Sequence, residues 1–185
     1  MIFSLNLIHK MQLNRFSFVR KNYHSSTKSD QLKMTLDEID KKLLVLLQTD
    51  SKKTTKELSL KLNLSVTAVY ERIKKLERDG IIKNYVALVD KSKIEKGFVV
   101  FCHLKLIQHT KEFLTRFESE VIKLNEVLEC HHVSGDYDYI LKVLVKDMEA
   151  YREFLVTKLT TLQHIGSTQS TFMISEVKNS TVISF

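Results

Sequence analysis

The sequence predicts an α+β protein built from two small modules, a bundle of three helices followed by a βαββαβ sandwich. Apolar residues recur every three or four positions between residues 36 and 76, and short apolar runs replace that pattern after Gly80. Gly97, Gly135 and Gly166 punctuate the second half at the junctions between predicted elements. No apolar run exceeds five residues, whereas a membrane helix needs about twenty. The sequence therefore excludes a transmembrane role.

Composition and charge narrow the class of protein further. The chain has 185 residues, of which 43% are hydrophobic and 28% charged, and this suits one globular domain or two small ones. Its two cysteines cannot form a disulfide framework. Of the formal net charge of +7, +5 falls in residues 1–33 and +2 in 34–90. Overall basicity is therefore weak evidence for a nucleic-acid partner. A claim of nucleic-acid binding needs cations clustered on one surface.

Residues 1–33 show no sustained periodicity and contain a single acid, Asp30. We expect a disordered or mis-annotated N-terminal extension, with Met34 as the natural start. The low acid content leaves a mitochondrial presequence as the alternative.

The first helix is predicted to begin directly after this segment. Thr35 and Glu38 have the T-x-x-E spacing of a capping box, in which each side chain satisfies a backbone N–H of the first turn. An apolar stripe follows at helical spacing: Leu36, Ile39, Leu43 and Leu46.

Two further helices complete a module over residues 34–83. A second capping box at Thr54 and Glu57 opens a short helix, and Ser65 is the N-cap candidate of the next. Gly80 lies where a glycine ends a helix. The third helix has the apolar stripe Val66, Val69, Ile73 and Leu76. The short connection between the last two helices indicates a helix-turn-helix, of the winged type.

The second half alternates short apolar runs with helical stripes. Residues 84–97 are expected to form a short strand, YVALV, and a charged linker, DKSKIEK. The remaining strands are predicted at about 98–107, 127–133, 138–146 and near 168–175, with helices at 111–124 and from Met148 to Leu162. This βαββαβ order over residues 98–185 is that of a ferredoxin-like sandwich.

The third helix carries the candidate DNA-binding residues. Phosphate contacts need long cations on the face opposite the apolar stripe, and base contacts need short or polar side chains near the start of the helix. The residues that meet these demands are Ser65, Thr67, Ala68, Tyr70, Glu71, Arg72, Lys74, Lys75 and Arg78. From spacing alone, a solvated amphipathic helix is an equally good interpretation.

Both halves resemble one family. The segment LDEIDKKLLVLLQTDSKKTTKELSLKLNLSVTAVYERIKKLERDGIIKNYVALVD is similar to the DNA-binding domain of the Lrp/AsnC family, the feast/famine transcriptional regulators. The segment LECHHVSGDYDYILKVLVKDMEAYREFL resembles that family's ligand-sensing (RAM/ACT-like) domain. Val66 stands where the family often has Pro, and Asn84 where it often has Gly. These departures leave the preferred DNA sequence open.

The resemblance implies an effector site near the Gly135 turn, at a contact between dimers. It matches Asp138 to the family's ligand-responsive acid, and a carboxylate beside backbone N–H groups suits an amino-acid zwitterion. The alternative is that Asp136 and Asp138 only cap a hairpin turn. The implied effector residues are His132, Ser134, Gly135, Asp136, Tyr137, Asp138, Thr171, Phe172 and Met173. His132 replaces an apolar residue of the family member compared, which weighs against simple leucine sensing.

A Cys/His cluster at Cys102-His103 and Cys130-His131-His132 invites a metal interpretation. In a ferredoxin-like sheet the strand order is 4-1-3-2, so the two cysteine strands flank strand three at about twice the 4.8 Å strand spacing. This separation disfavours both a structural metal and a Cys102–Cys130 disulfide.

We therefore expect a cytoplasmic transcriptional regulator with no catalytic residues, metal ligands or cofactor. Its expected partners are double-stranded DNA, an amino-acid effector and further copies of itself, as a homodimer assembling to a tetramer or octamer, without a membrane partner. Two alternatives stay open. The histidines at 103, 131 and 132 would suit a tetrapyrrole (sirohaem) decarboxylase-like enzyme, and an effector-blind architectural DNA-binding protein would share the first module. The basic third helix and the GDYD turn favour regulation.

A chain that starts at Met34 should fold, assemble and bind its specific DNA like the full chain. The slope of log affinity against log salt concentration is expected to be equal or shallower, because +5 of charge is absent. Gel-shift titrations at several salt concentrations check this. Loss of specific binding would show that residues 1–33 are needed for recognition.

Overall fold

The computed structural model describes residues 35–185 and divides them into two units. One unit comprises residues 35–88 and 177–185, and the other comprises residues 89–176. The predicted extension 1–33 and the start at Met34 lie outside the described residues. No helix in the described part of the chain is long and apolar enough to cross a membrane.

Asp37 caps the first helix, α1 (Glu38–Thr49). Its side chain accepts a hydrogen bond from the Asp40 N–H at 2.7 Å, so the predicted Thr35–Glu38 capping box is wrong. Glu38 is the first residue of the helix, whereas a capping box needs an acid in the third position. The hydrogen bond from the Asp40 N–H, helped by the Arg72 guanidinium, lowers the pKa of Asp37.

The other two predicted helix starts are confirmed. Helix α2 (Thr55–Leu62) opens with the reciprocal box, in which Thr54 Oγ1 accepts from the Glu57 N–H and Glu57 Oε2 accepts from the Thr54 N–H. In helix α3 (Val66–Arg78), Ser65 Oγ accepts from the Ala68 N–H at 3.1 Å. These caps rely on residues three apart and on little else, which is why the sequence shows them.

Gly80 ends α3 as predicted. Its φ of +71° is the left-handed conformation that glycine adopts without strain. The Gly80 N–H donates to Glu77 O and the Ile81 N–H donates to Leu76 O, the two bonds of a Schellman motif. The chain thereby leaves the helix in one fixed direction.

The core of this unit lies between the three helices. Its buried side chains are Leu43, Leu44, Leu47, Leu58, Val69 and Leu76. The C-terminal residues also belong here: the Gln48 amide donates to Ile183 O at 3.3 Å and accepts from the Ile183 N–H at 2.8 Å. The boundaries of the second module, residues 98–185, stay a prediction from the sequence.

An ion pair joins α1 and α3. The Arg72 Nη1 lies 2.7 Å from Asp37 Oδ2 and 2.6 Å from Asp40 Oδ1. The Asp40 side chain is only 5% exposed, so Arg72 neutralises a carboxylate that water reaches poorly. The pair links the start of α1 to the middle of α3.

The expected strand at YVALV is wrong for a single chain. Residues 83–90 form no strand, and the side chains of Val86 and Leu88 are 73% and 77% exposed. The charged linker that follows contains a short 3₁₀ turn, Lys91–Ile94. A β-propensity pattern needs a neighbouring strand to pair with, and the described part of this chain supplies none there.

The second unit is the predicted βαββαβ sandwich. Its four strands are β1 (Phe98–Leu106), β2 (Val127–His132), β3 (Tyr139–Val145) and β4 (Ile165–Phe172). They form an antiparallel sheet in the order β2-β3-β1-β4, which confirms the predicted topology.

Two helical segments cover one face of the sheet. Helix α4 (Lys111–Val121) follows β1, and α5 (Met148–Phe154) continues into a π turn, Leu155–Leu159. The core between helices and sheet is built from alternate strand residues, including Val100, Cys102, Leu104, Leu141 and Val143, together with Phe117, Phe154 and Leu159. This alternation fixes which strand residues face the helices and which face away.

Replacing Arg72 with Ala should destabilise the helical unit by about 2 kcal/mol, because the buried Asp40 carboxylate loses its cation. Lys75→Ala removes an exposed cation from the same helix and should change stability by less than about 0.5 kcal/mol. Urea unfolding followed by circular dichroism at 222 nm compares the two. Equal unfolding midpoints would contradict the structural role of the ion pair.

Candidate functional site

The outer face of α3 presents a row of exposed polar side chains. Thr67, Glu71, Lys74 and Arg78 follow one another at spacings of three and four, so they line one side of the helix, and all four are exposed. Tyr70 and Lys75 flank this row and are also exposed. Val69 and Leu76 hold the opposite side in the core. The helix thus displays an uninterrupted polar face of the length that enters a major groove.

Local contacts order part of this face. Lys74 Nζ lies 2.8 Å from Glu77 Oε2 and 5.7 Å from the centre of the Tyr70 ring. Tyr85 donates to Glu77 Oε1 at 3.0 Å. Burial and then this hydrogen bond raise the pKa of Tyr85 to about 12. Tyr70 and Lys74 are therefore held side by side, whereas Arg78 projects into solvent with 73% of its side chain exposed.

The structure separates the predicted DNA-binding residues into three groups. Ser65 caps the helix through its side chain, and Ala68 is half-buried at its start. Arg72 points inward to Asp37 and Asp40, so its guanidinium is engaged within the bundle. The remaining predicted residues lie on the exposed face: Thr67, Tyr70, Glu71, Lys74, Lys75 and Arg78.

The second candidate site centres on Asp138, which directly precedes β3. Its N–H donates to Leu104 O at 2.8 Å and its carbonyl accepts from the Val133 N–H at 2.9 Å. These bonds close the hairpin and tie it to β1. Gly135 forms the turn with a φ of +135°, a conformation that other residues rarely adopt.

The Asp138 carboxylate is buried and hydrogen-bonded. Its Oδ2 accepts from the Leu106 N–H at 2.9 Å. The His109 Nε2 lies 2.9 Å from both carboxylate oxygens. Only 3% of the Asp138 side chain is exposed, against 49% of the His109 side chain. Among the described residues of the sandwich, Asp138 is the one acid that is buried.

His109 is a residue that sequence reasoning missed. It lies in the loop between β1 and α4, one residue before the helix N-cap Thr110. A lone histidine in a polar loop belongs to no recognisable motif. Its position just before the predicted helix at 111–124 was the one available signal, and that signal does not indicate a partner 29 residues away.

The rest of the predicted turn is anchored to neighbouring strands. The Tyr137 hydroxyl donates to Gln169 Oε1 of β4, and its ring lies 5.1 Å from the His103 ring. His132 stacks on Tyr139 with ring centres 4.7 Å apart. Burial and a hydrogen bond to Glu118 raise the pKa of Tyr139. The turn is thus fixed on both sides by aromatic contacts.

The other predicted effector residues lie at the opposite end of the sheet. Thr171 pairs with Phe101 and Phe172 with Val100, while Asp138 sits beside Leu104. Three residues of strand separate Phe101 from Leu104, about 10 Å, and two strand spacings add roughly 10 Å across the sheet. One chain therefore does not bring Thr171, Phe172 and Met173 into contact with the Asp138 turn.

The cysteines and histidines of the predicted metal alternative do not converge. Cys102 and Cys130 both pair with Leu141, from opposite sides of β3, and both are free thiols. Burial raises the pKa of Cys130 to about 11 and also raises that of Cys102. Within residues 35–185, no three His, Cys, Asp or Glu side chains are grouped to hold a metal ion.

Two protein-family models match the chain. Residues 36–83 match a winged helix-turn-helix DNA-binding model, and residues 99–183 match the Lrp/AsnC ligand binding domain. The chain is 40% identical over 145 residues to the leucine-responsive regulatory protein of Klebsiella pneumoniae, covering 78% of this chain and 88% of that one. The Escherichia coli K12 protein of that name is 39% identical over the same coverage.

The chain belongs to the Lrp/AsnC family. Solved structures agree: a transcriptional regulator from Neisseria meningitidis in complex with L-methionine superposes with a TM-score of 0.77 at 32% identity, covering 80% of this chain and 96% of that one. An AsnC family regulator from Agrobacterium tumefaciens gives 0.77 at 36% identity with the same coverage. This Lrp/AsnC regulator thus carries its DNA-binding domain in the helical unit and its ligand-binding domain in the sandwich.

Lys75→Ala and Arg78→Ala should each weaken binding to all DNA sequences and flatten its salt dependence by about one unit of slope, because each is expected to remove a phosphate contact. Changes at Thr67 or Tyr70 should instead alter sequence preference. Gel-shift titrations with random and selected DNA at several salt concentrations separate the two classes. If folded variants of both classes bind like the unmodified chain, α3 is not the recognition helix.

Proposed function

We propose that this Lrp/AsnC regulator is a cytoplasmic, non-enzymatic protein that binds a free amino acid at Asp138 and operator DNA through α3. The observation that carries the effector part is the buried carboxylate of Asp138 in the ligand-binding domain. A buried carboxylate beside a glycine turn suits an ammonium group, because a cation within hydrogen-bond distance offsets the cost of burying the charge.

The DNA part of the proposal rests on the exposed face of α3. Lys74, Lys75 and Arg78 supply the cations for phosphate contacts, and Thr67 and Tyr70 lie nearer the start of the helix, where base edges are reached. Arg72 is left out of the proposed contacts, because its guanidinium neutralises Asp40. Glu71 lies between the two groups and can accept a hydrogen bond from a cytosine amino group.

The proposed regulator acts as a homodimer that assembles further. The two groups of predicted effector residues lie at opposite ends of one sheet, so a site using both needs two copies of the chain. The exposed side chains of Val86 and Leu88, in a segment without helix or strand, offer a further surface for a second copy. Two recognition helices would then address half-sites about one helical turn, or a multiple of it, apart.

An effector bound between copies would couple to DNA binding through assembly. A ligand favours whichever assembly presents its complete site, and the arrangement of recognition helices changes with that assembly. The expected effector is an amino acid, in line with the relatives named as leucine-responsive and the relative solved with L-methionine.

Asp138→Asn should cost roughly ten- to hundredfold in effector affinity, the value of a charge-assisted hydrogen bond of about 1.5–3 kcal/mol. Operator binding without effector should stay nearly unchanged. Calorimetry with the amino acid that most stabilises the chain in a thermal-shift panel of twenty gives the first quantity, and gel-shift titration gives the second.

Asp136→Asn is the matched control, because Asp136 is exposed in the same turn and should matter less to the ligand. Both variants are compared at the same oligomeric state. Unchanged effector affinity in Asp138→Asn would refute the effector assignment. An equal loss of DNA binding would show that Asp138 has a structural role only.

A further inference from the structure

The loop that joins β1 to α4 places a histidine on the proposed effector carboxylate. Residues 107–110 are all exposed, and Ile107 at the start of the loop is 66% exposed. His109 therefore sits on an exposed segment, yet its ring reaches a buried acid.

The Leu106 N–H and the His109 imidazole, which both contact this carboxylate, differ in how easily they move. The Leu106 N–H belongs to β1, which is paired with β4 through Leu106 and Ile165. That donor is fixed by the sheet. The His109 imidazole is half-exposed and lies beyond the end of the strand, so rotation of its side chain disturbs no strand pairing.

Burial of Asp138 limits how an effector reaches it. With 3% of the side chain exposed, an ammonium group from solution cannot come within hydrogen-bond distance of the carboxylate unless a covering group moves. His109 Nε2 already lies 2.9 Å from both oxygens, the distance an ammonium nitrogen would take. The imidazole and the amine therefore need the same space.

Exchange of these two groups is chemically reasonable. The ring nitrogen offers a single N–H, whereas an ammonium group offers three donors and a full positive charge. The carboxylate keeps its hydrogen bond from the Leu106 N–H throughout, so it is not stripped of partners while the exchange takes place.

We propose that His109 sets the affinity of this regulator for its effector, by occupying the amine-binding side of Asp138 until the effector displaces it. The proposal rests on the proposed function, namely that Asp138 binds the effector amine. It assigns His109 a role as an affinity-determining residue that acts by competition with the ligand. Amino acids whose side chains leave room for the displaced ring would be favoured.

The test is calorimetry on the full chain with L-methionine and L-leucine, and with any other amino acid that scores in the panel of twenty. His109→Ala should raise the affinity by about fivefold, because the effector no longer has to break a hydrogen bond within the protein. His131→Ala is the matched control: it also removes an exposed histidine of the sandwich, which pairs with Glu129 instead. Its affinity should match the unmodified chain.

A second readout follows the ring itself. In histidine-labelled protein, the His109 Cε1–H resonance, identified by its absence in His109→Ala, should shift on saturation with the amino acid. A folded His109→Ala chain with unchanged or lower affinity, or a His109 resonance that stays in place, would overturn the competition.

The outcomes distinguish the two proposals. If Asp138→Asn loses affinity while His109→Ala does not gain it, the effector site stands and the role of His109 falls. If Asp138→Asn binds normally, or if no amino acid binds any of these chains, the proposed function fails and the role of His109 fails with it.

Discussion

The pairing of β1 with its neighbours is the constraint on which the ligand-binding domain depends. β1 lies inside the sheet, and its residues Leu104 and Leu106 supply backbone groups to Asp138. Tyr139, the next residue, then pairs with Leu104 and turns its ring into the core. A shift of this register by one residue would expose the core face of β3 and carry the Asp138 carboxylate to the other side of the sheet.

An equivalent constraint operates in the DNA-binding domain. Val69 and Leu76 turn one side of α3 into the core, and Arg72 of the same helix contacts Asp37 and Asp40 at the start of α1. The apolar stripe of the helix predicts the outward face, but it does not show which of the cations contacts the bundle. Because the side of α3 that carries Val69 and Leu76 is buried, Thr67, Lys74 and Arg78 are turned outward together.

Both sites therefore combine a fixed backbone with a buried acid, but the acids have different partners. Asp40 is neutralised by an arginine, which is always charged and presents several N–H donors. Asp138 is met by a half-exposed histidine, whose ring nitrogen offers it a single N–H. The ion pair of Asp40 with Arg72 suits a permanent structural contact, and the contact of Asp138 with His109 suits a site that opens for a ligand.

The sequence by itself determined the features that depend on residues close together in the chain. The reciprocal cap at Thr54 and Glu57, the Ser65 cap and the Gly80 stop each involve residues within five positions of one another, and all three are present. The βαββαβ order likewise followed from local periodicity and determined the strand order. At the first helix the sequence offers two possible N-caps, Thr35 and Asp37. The structure uses Asp37, and the sequence alone does not show at which residue the helical conformation begins.

Tertiary structure decided the contacts between distant residues. Arg72 meets Asp37 across 35 residues and His109 meets Asp138 across 29, and no periodicity or spacing relates such pairs. The segment around Val86 also depends on a distant partner, since its strand-like sequence pairs with no strand within the described residues. Local patterns fix backbone conformation because caps and helical turns act over a few residues. The partner of a side chain is fixed only when packing brings two segments together, and that is where both the recognition face and the buried acid were decided.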